Sequence, residues 1–222
     1  MSFFNNIAPK KAWTIALSVV FIGLLIDQII KVYVKTHFVY GETFPLLGDW
    51  FKIYFIENDG MAYGITLFGG GKVGKLFLTF FRIAVSIFGF FYLKAMIREK
   101  SPFGLIFSIS LILTGAIGNI IDSVFYGVIF DDINGYVASW FEGHVVDMFY
   151  APLWEGVLPE WIPIRGGEHF VFFAPIWNFA DACITVGVAT LLIARNQFEL
   201  PSVKIVFPKK AAKDPSSQDS EG

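Results

Sequence analysis

Four apolar runs of membrane-spanning length constrain this chain more than any other feature of its sequence. They cover roughly residues 12–34, 76–97, 102–121 and 173–194. A hydrocarbon layer of about 30 Å takes about 20 apolar residues in helical form, so each run is long enough to cross it. Backbone polar groups in lipid must bond within their own segment, which makes such runs helices. Composition agrees: 16% of residues are charged and 55% hydrophobic, with a mean hydropathy of +0.60, against roughly 25% charged in ordinary soluble domains. The first run follows Lys10 and Lys11 as a signal peptide would, yet it is too long for an h-region and lacks a small-x-small cleavage site, so it reads as a retained helix. A net charge of −2 gives no argument for nucleic acid, and a single cysteine, Cys183, excludes an internal disulfide.

Orientation follows the Lys and Arg residues. Lys10 and Lys11 precede the first run, Arg98 and Lys100 fill the turn between the second and third, and Arg195, Lys204, Lys209, Lys210 and Lys213 follow the fourth. The segment 122–172 carries Arg165 against Asp122, Asp131, Asp132, Glu142, Asp147, Glu155, Glu160 and Glu168. The segment 35–75 is mixed and votes weakly the other way. Both termini and the 98–101 turn are therefore expected in the cytoplasm, with the two long connections outside. The expected fold is a membrane all-α core of four transmembrane helices in one integral membrane domain over residues 1–200. "FPLLGDWFKIYFIENDGMAYGI", between helices one and two, alternates apolar and polar residues and reads as strands with a Gly turn. "MFYAPLWEGVLPEWIPI", in the long outer loop between helices three and four, has the Trp and Tyr content of a headgroup layer. Together they predict a β-rich, aromatic extracytoplasmic platform. Residues 201–222 are polar and aperiodic and read as a disordered cytoplasmic tail.

Ionisable and amide side chains gather at one depth of this topology. The outer end of the first run carries Asp27, Gln28 and Lys31. The third ends in Asn119 and Asp122, the fourth opens with Asn178 and Asp181, and the second has Arg82 near its start. A carboxylate at a helix centre costs on the order of 2.5–3.5 kcal/mol on insertion scales, so such residues carry function more often than not. Asn119 and Asp122 are three apart, as are Asn178 and Asp181, so each pair shares a helix face. "HVVDMF" adds Asp147 between apolar neighbours. Blander readings stand beside these: Asp27 with Lys31 as a structural ion pair, Arg82 snorkelling to the interface, Asp181 held by a helix dipole. His144 and His169 are too far apart to suggest a metal. Chemistry alone leaves three classes open: a catalytic aspartate pair, an ion- or proton-coupled transporter, and a scaffold using polar residues as interhelical glue.

Five segments in order then resemble the bacterial lipoprotein signal peptidases (signal peptidase II) across residues 27–184. "DQIIK" at 27–31 is similar to the family's Asp-Gln-x-x-Lys, and "NDGMAYG" at 58–64 to its Asn-x-Gly-x-Ala-aromatic loop. "GAIGNIID" at 115–122 is similar to its Gly-x-x-Gly-Asn-x-x-Asp. "VVDMF" at 145–149 and "NFADACI" at 178–184 are similar to its two catalytic segments. The resemblance implies a membrane-embedded aspartyl endopeptidase of the bacterial inner membrane, with no metal or cofactor. It would release the signal peptide of a prolipoprotein by cutting before a diacylglyceryl-modified cysteine at the outer leaflet. Asp147 and Asp181 would be the catalytic dyad. Asn58, Gly60, Ala62, Asn119 and Asn178 would bind substrate or hold the dyad, and Asp27, Lys31 and Asp122 would structure the site. Expected partners are the prolipoprotein and membrane lipids, with the chain acting as a monomer. The sequence departs from the family pattern in Ser123, where an Arg is usual, leaving Arg82 and Arg165 as replacements. It departs also in Tyr63, where Phe or Trp is commoner, and in the longer stretches 122–147 and 147–181.

Overall fold

The computed structural model describes residues 5–48, 50–58, 71–130, 133, 138–172 and 175–194. Helix α1 spans Pro9–His37, α2 Gly71–Arg98, α3 Phe103–Ile129 and α4 Phe179–Ala194. Among the described residues, α1, α2 and α3 are long and apolar enough to cross a membrane, while α4 is a shorter apolar helix of 16 residues. At 1.5 Å per residue α4 rises about 24 Å, short of a full hydrocarbon layer. Two boundaries correct the sequence reading. The expected fourth helix was to begin at residue 173, but Ile176–Trp177 form a strand and α4 starts at Phe179. The third helix was to end near residue 121, but "SVFYGVI" extends the apolar pattern and α3 continues two turns further. Asp122 therefore lies inside α3 rather than at its end.

The helices are inverted relative to a soluble bundle. Small and charged residues of α1, among them Ala12, Ala16, Gly23, Asp27, Lys31 and Lys35, face inward, while Phe21, Leu25 and Ile29 are exposed. This is the pattern expected where lipid surrounds the molecule and packing between helices relies on small side chains. Helix α3 is the hub, packing against α1, α2 and α4. Its glycines permit that closeness: a Cβ on Gly115 would stand 2.1 Å from the backbone oxygen of Ala180, and one on Gly118 2.6 Å from an Asp27 carboxylate oxygen. Ser108, Ser110, Thr114 and Ser123 turn their hydroxyls back to carbonyls one turn earlier, which satisfies them inside the bundle.

The end of the bundle carries β structure. Strands β1 (Thr43–Leu47), β2 (Phe51–Asn58), β3 (Val145–Tyr150) and β6 (Ile176–Trp177) form an antiparallel sheet in the order β1-β2-β3-β6. The predicted strand pair and its Gly turn are present, with Gly48 at φ +57° between β1 and β2. Ile53 and Phe55 of β2 and Val146 and Met148 of β3 pack with Val34, Tyr126 and Phe130 into a small core under the sheet. Because strand side chains alternate, Asp147 projects from the opposite face of β3 to Val146 and Met148. Strands β4 (Trp154–Val157) and β5 (His169–Phe172) form a separate hairpin whose connecting loop exposes Trp161 and Ile164, the latter fully. At the other end, Phe103 N–H donates to the Asn5 carbonyl at 2.9 Å, which joins the segment before α1 to the α2–α3 turn.

Candidate active site

The site is built from a saturated lysine outward. Lys31 is fully buried, and its ammonium lies 2.9 Å from Asp27 Oδ2, 2.8 Å from Asp122 Oδ2 and 2.9 Å from Asn119 Oδ1. An ammonium has three N–H donors, and here each has an acceptor. Gln28 closes the ring by donating to Asp27 Oδ2 at 3.0 Å and to Asp122 Oδ1 at 3.1 Å, while accepting from Tyr126 OH at 3.0 Å. Asp27 also accepts the backbone N–H of Ala180 at 2.9 Å, which fastens α1 to the first turn of α4. Asp122 accepts the backbone N–H of Val146 at 3.4 Å, which fastens α3 to β3.

The two aspartates of the resemblance meet around Asn178. This residue precedes α4 and caps it: its Oδ1 accepts the Asp181 N–H at 2.9 Å, and Asp181 Oδ2 accepts the Asn178 N–H at 3.5 Å. The exchange has the form of a capping box, with a carboxylate in the helix's first turn where the positive end favours it. The Asn178 amide donates to Asp147 Oδ1 at 2.6 Å and to Asn119 Oδ1 at 3.3 Å. Asn119 in turn donates to Asp181 Oδ1 at 2.9 Å. Asn58, the last residue of β2, donates to Asp147 Oδ2 at 3.2 Å. Asp147 is 2% exposed, whereas Asp181 is half-buried. Burial first, and then the charge of Asp181, push the Asp147 carboxyl up to about 7, against the opposing pull of Asn58, Asn178 and Lys31.

Of the predicted residues, Asp27, Lys31, Asn58, Asn119, Asp122, Asp147, Asn178 and Asp181 thus belong to one hydrogen-bonded network; Gly60, Ala62 and Tyr63 lie outside the described residues. The two candidates for the missing Arg separate. Arg165 pairs with Glu168 at 3.0 Å on the exposed β4–β5 hairpin, whereas half-buried Arg82 of α2 is within electrostatic reach of Asp181, Asp122 and Asp147. Asp122, which closed the expected third helix, is fully buried inside α3. Sequence reasoning missed Tyr126 and the pair Lys35–Glu57. Lys35 had a signal, since it stands one turn beyond Lys31 on the same face of α1; Glu57 had none, because its partners come from other segments. Among the described residues, no three His, Cys, Asp or Glu side chains group as metal ligands would.

The sequence matches the family described as Signal peptidase (SPase) II over residues 19–196. It is 42% identical over 232 residues to the lipoprotein signal peptidase of Porphyromonas gingivalis (strain ATCC BAA-308 / W83), with 99% of this chain and 97% of that protein covered. It is 38% identical over 191 residues to the lipoprotein signal peptidase of Amoebophilus asiaticus (strain 5a2), with 84% and 79% covered. The fold is similar to that of a bacterial membrane enzyme solved by the in meso method at 2.3 Å resolution, with a TM-score of 0.56, 24% identity, and 88% of this chain and 93% of that one covered. Transport and scaffold readings find no counterpart in these matches. The chain, with its apolar helices and its aspartates gathered at one end of them, belongs to the signal peptidase II family of membrane peptidases.

Proposed function

We propose that Asp147 and Asp181 are the catalytic dyad of an aspartyl endopeptidase that cuts prolipoproteins immediately before the diacylglyceryl-modified cysteine. The observation that carries this reading is Asn178, whose side chain bonds Asp147 through its amide and the Asp181 backbone through its carbonyl. Two carboxyl groups bridged by one side chain, with the charge of one raising the other, share a proton, because both do not easily ionise together. The deep burial of Asp147 makes it the holder of that proton near neutral pH. In the reaction its carboxyl polarises the scissile carbonyl while Asp181 draws a proton from the attacking water. The tetrahedral intermediate collapses when the leaving amine takes up a proton from the dyad, which returns to its starting state. Asn119 holds Asp181 and Asn58 holds Asp147, while Lys31, Asp27 and Asp122 lock the helices that carry them. Gly60 and Ala62 are assigned to the loop that receives substrate backbone.

The same reading covers the setting. Residues 1–200 form a single membrane domain in which α4, together with the extended residues 175–178 ahead of it, completes a four-span topology, and 201–222 form a cytoplasmic tail. The bond between Asn5 and Phe103 supports this orientation, because it gathers Lys10, Lys11, Arg98 and Lys100 at the end opposite the aspartates. That end faces the cytoplasm, so the dyad sits at the outer leaflet, where the substrate's lipid chains remain in the bilayer. The sheet and the β4–β5 hairpin, with Trp161 80% and Ile164 100% exposed, lie in the headgroup layer as a platform. In this reading the chain acts as a monomer.

The test is product identity. The purified chain in lipid is given a diacylglyceryl-modified prolipoprotein and, separately, the same precursor with an unmodified cysteine. Mass spectrometry is expected to find a new N-terminal diacylglyceryl-cysteine from the first and intact precursor from the second. Cleavage at another bond, or equal cleavage of both precursors, contradicts the proposal.

A further inference from the structure

One buried charged cluster has no part in the mechanism above. Lys35 of α1 pairs with Glu57 of β2, with side-chain exposures of 1% and 6%. His144 Nδ1 lies 3.4 Å from the other carboxylate oxygen of Glu57. The Lys35 ammonium also stands 5.9 Å from the centroid of the Phe130 ring beyond α3. Burial alone would push the Glu57 carboxyl up, but His144 and Lys35 together hold it below the usual carboxylate range. Removing two charges from water costs several kcal/mol per ion, so a buried pair is weak support for stability, and its best-attested use is to fix register.

Register is at issue here. The β2–β3 ladder is irregular between Ile53 and Ile56, then resumes with Ile56 opposite Asp147, Glu57 opposite Val146 and Asn58 opposite Val145. A slip of one residue would send every side chain at this end to the wrong face. Glu57 and Asn58 are neighbours in a strand and point to opposite faces. One face takes the Glu57 carboxylate to Lys35 and His144; the other takes the Asn58 amide to Asp147 Oδ2 at 3.2 Å. Helix α1 therefore sends out two arms from lysines one turn apart. Lys31 reaches Asp181 through Asn119. Lys35 reaches Asp147 through Glu57 and Asn58.

We propose that Glu57, gripped between Lys35 and His144, is a positioning residue for peptide cleavage: it fixes the end of β2 so that Asn58 meets Asp147. The proposal rests on the dyad reading. Its consequence is specific, because an N–H aimed at a carboxylate favours the charged form. Losing the Glu57 grip loosens the Asn58 bond and shifts the titration of the shared proton upward, as removing Asn58 itself does.

The experiment is a double-mutant cycle read by pH profile. Cleavage is measured from pH 5 to 9 for the full chain, Glu57→Gln, Asn58→Ala and the double variant. Each single variant is expected to lower kcat more than it changes KM. Each is also expected to move the alkaline limb, which reports loss of the shared proton, to higher pH by about one unit. The double variant moves it no further, because both changes break the same link. Lys35→Met attacks that link from α1 and gives the same shift, which keeps the proposal testable should Glu57→Gln not accumulate. A Glu57→Gln profile that superimposes on wild type overturns the proposal, as does a double shift equal to the sum of the singles. A variant that only lowers the thermal midpoint assigns Glu57 a structural role and overturns it too. Asp147→Asn and Asp181→Asn are run alongside: if either keeps wild-type kcat, the dyad reading fails; if both are inactive while Glu57→Gln matches wild type, the Glu57 proposal alone fails.

Discussion

Asp147 shows how a buried carboxyl can be carried at a cost to folding. Its carboxyl is 2% exposed and titrates at about 7, whereas an unfolded Asp titrates near 3.9. Between those values the folded state binds more protons than the unfolded one, so stability falls as pH rises through this window. Holding that carboxyl at about 7 costs on the order of 4 kcal/mol of stability once both states have ionised. We therefore expect the thermal midpoint of the detergent-solubilised protein to drop between pH 4 and 8, and Asp147→Asn to flatten the curve and exceed wild type at pH 8. A wild-type midpoint that rises over this range would count against the buried, proton-sharing role. At this scale much was legible in the sequence. The three-residue spacing of Asn119–Asp122 and Asn178–Asp181, and the four-residue spacing of Asp27 and Lys31, state which face each pair shares. The reach of Lys35 to Glu57 was not legible, because it depends on where a strand ends against a helix, which no local period encodes.

Elements bring these side chains together through backbone proximity. The first turn of α4 carries the capping box of Asn178 and Asp181, and it is held by Asp27 from α1 and by Gly115 of α3. A side chain at Gly115 would have to displace the Ala180 carbonyl, which is backbone and yields only if α4 moves. Gly115→Leu is therefore expected to cost at least about 1–3 kcal/mol, the range for overpacked cores, and to lower cleavage sharply by moving Asp181. Gly89→Ala meets only the tip of the Leu113 side chain at 3.0 Å and is expected to fall within about 1 kcal/mol of wild type on the same scale. Thermal midpoints and cleavage rates of the two variants check this, and a Gly115→Leu protein as stable and active as Gly89→Ala would refute the packing argument. Hydropathy located α1, α2 and α3 because their runs are long. It misplaced the start of α4 because "PIW" at 175–177 continues an apolar run, while the pairing of Ile176–Trp177 with β3 makes them a strand. It stopped α3 too early because the polar Asn119–Asp122 pair looked like an end, although Lys31 satisfies it in the helix interior.

The whole molecule is polarised along its helices. Basic residues of the N-terminal segment and the α2–α3 turn gather at one end, and carboxylates, amides and sheet gather at the other. Apolar side chains cover the flanks between them, as suits a molecule surrounded by lipid. This polarity was readable from charge counts alone, whereas the sheet that brings Asp147 to Asp181 was not, since β2 and β3 pair across a long stretch of sequence. The central claim, that these two aspartates share the work of hydrolysis, is tested most directly by single-turnover cleavage of a diacylglyceryl-modified prolipoprotein in lipid. Wild type is compared with Asp147→Asn and Asp181→Asn, each shown to be folded. The account predicts that each variant loses at least about 10³-fold in rate, within the range for removal of an acid or base, with substrate binding retained. A folded variant that cleaves at the wild-type rate would contradict it.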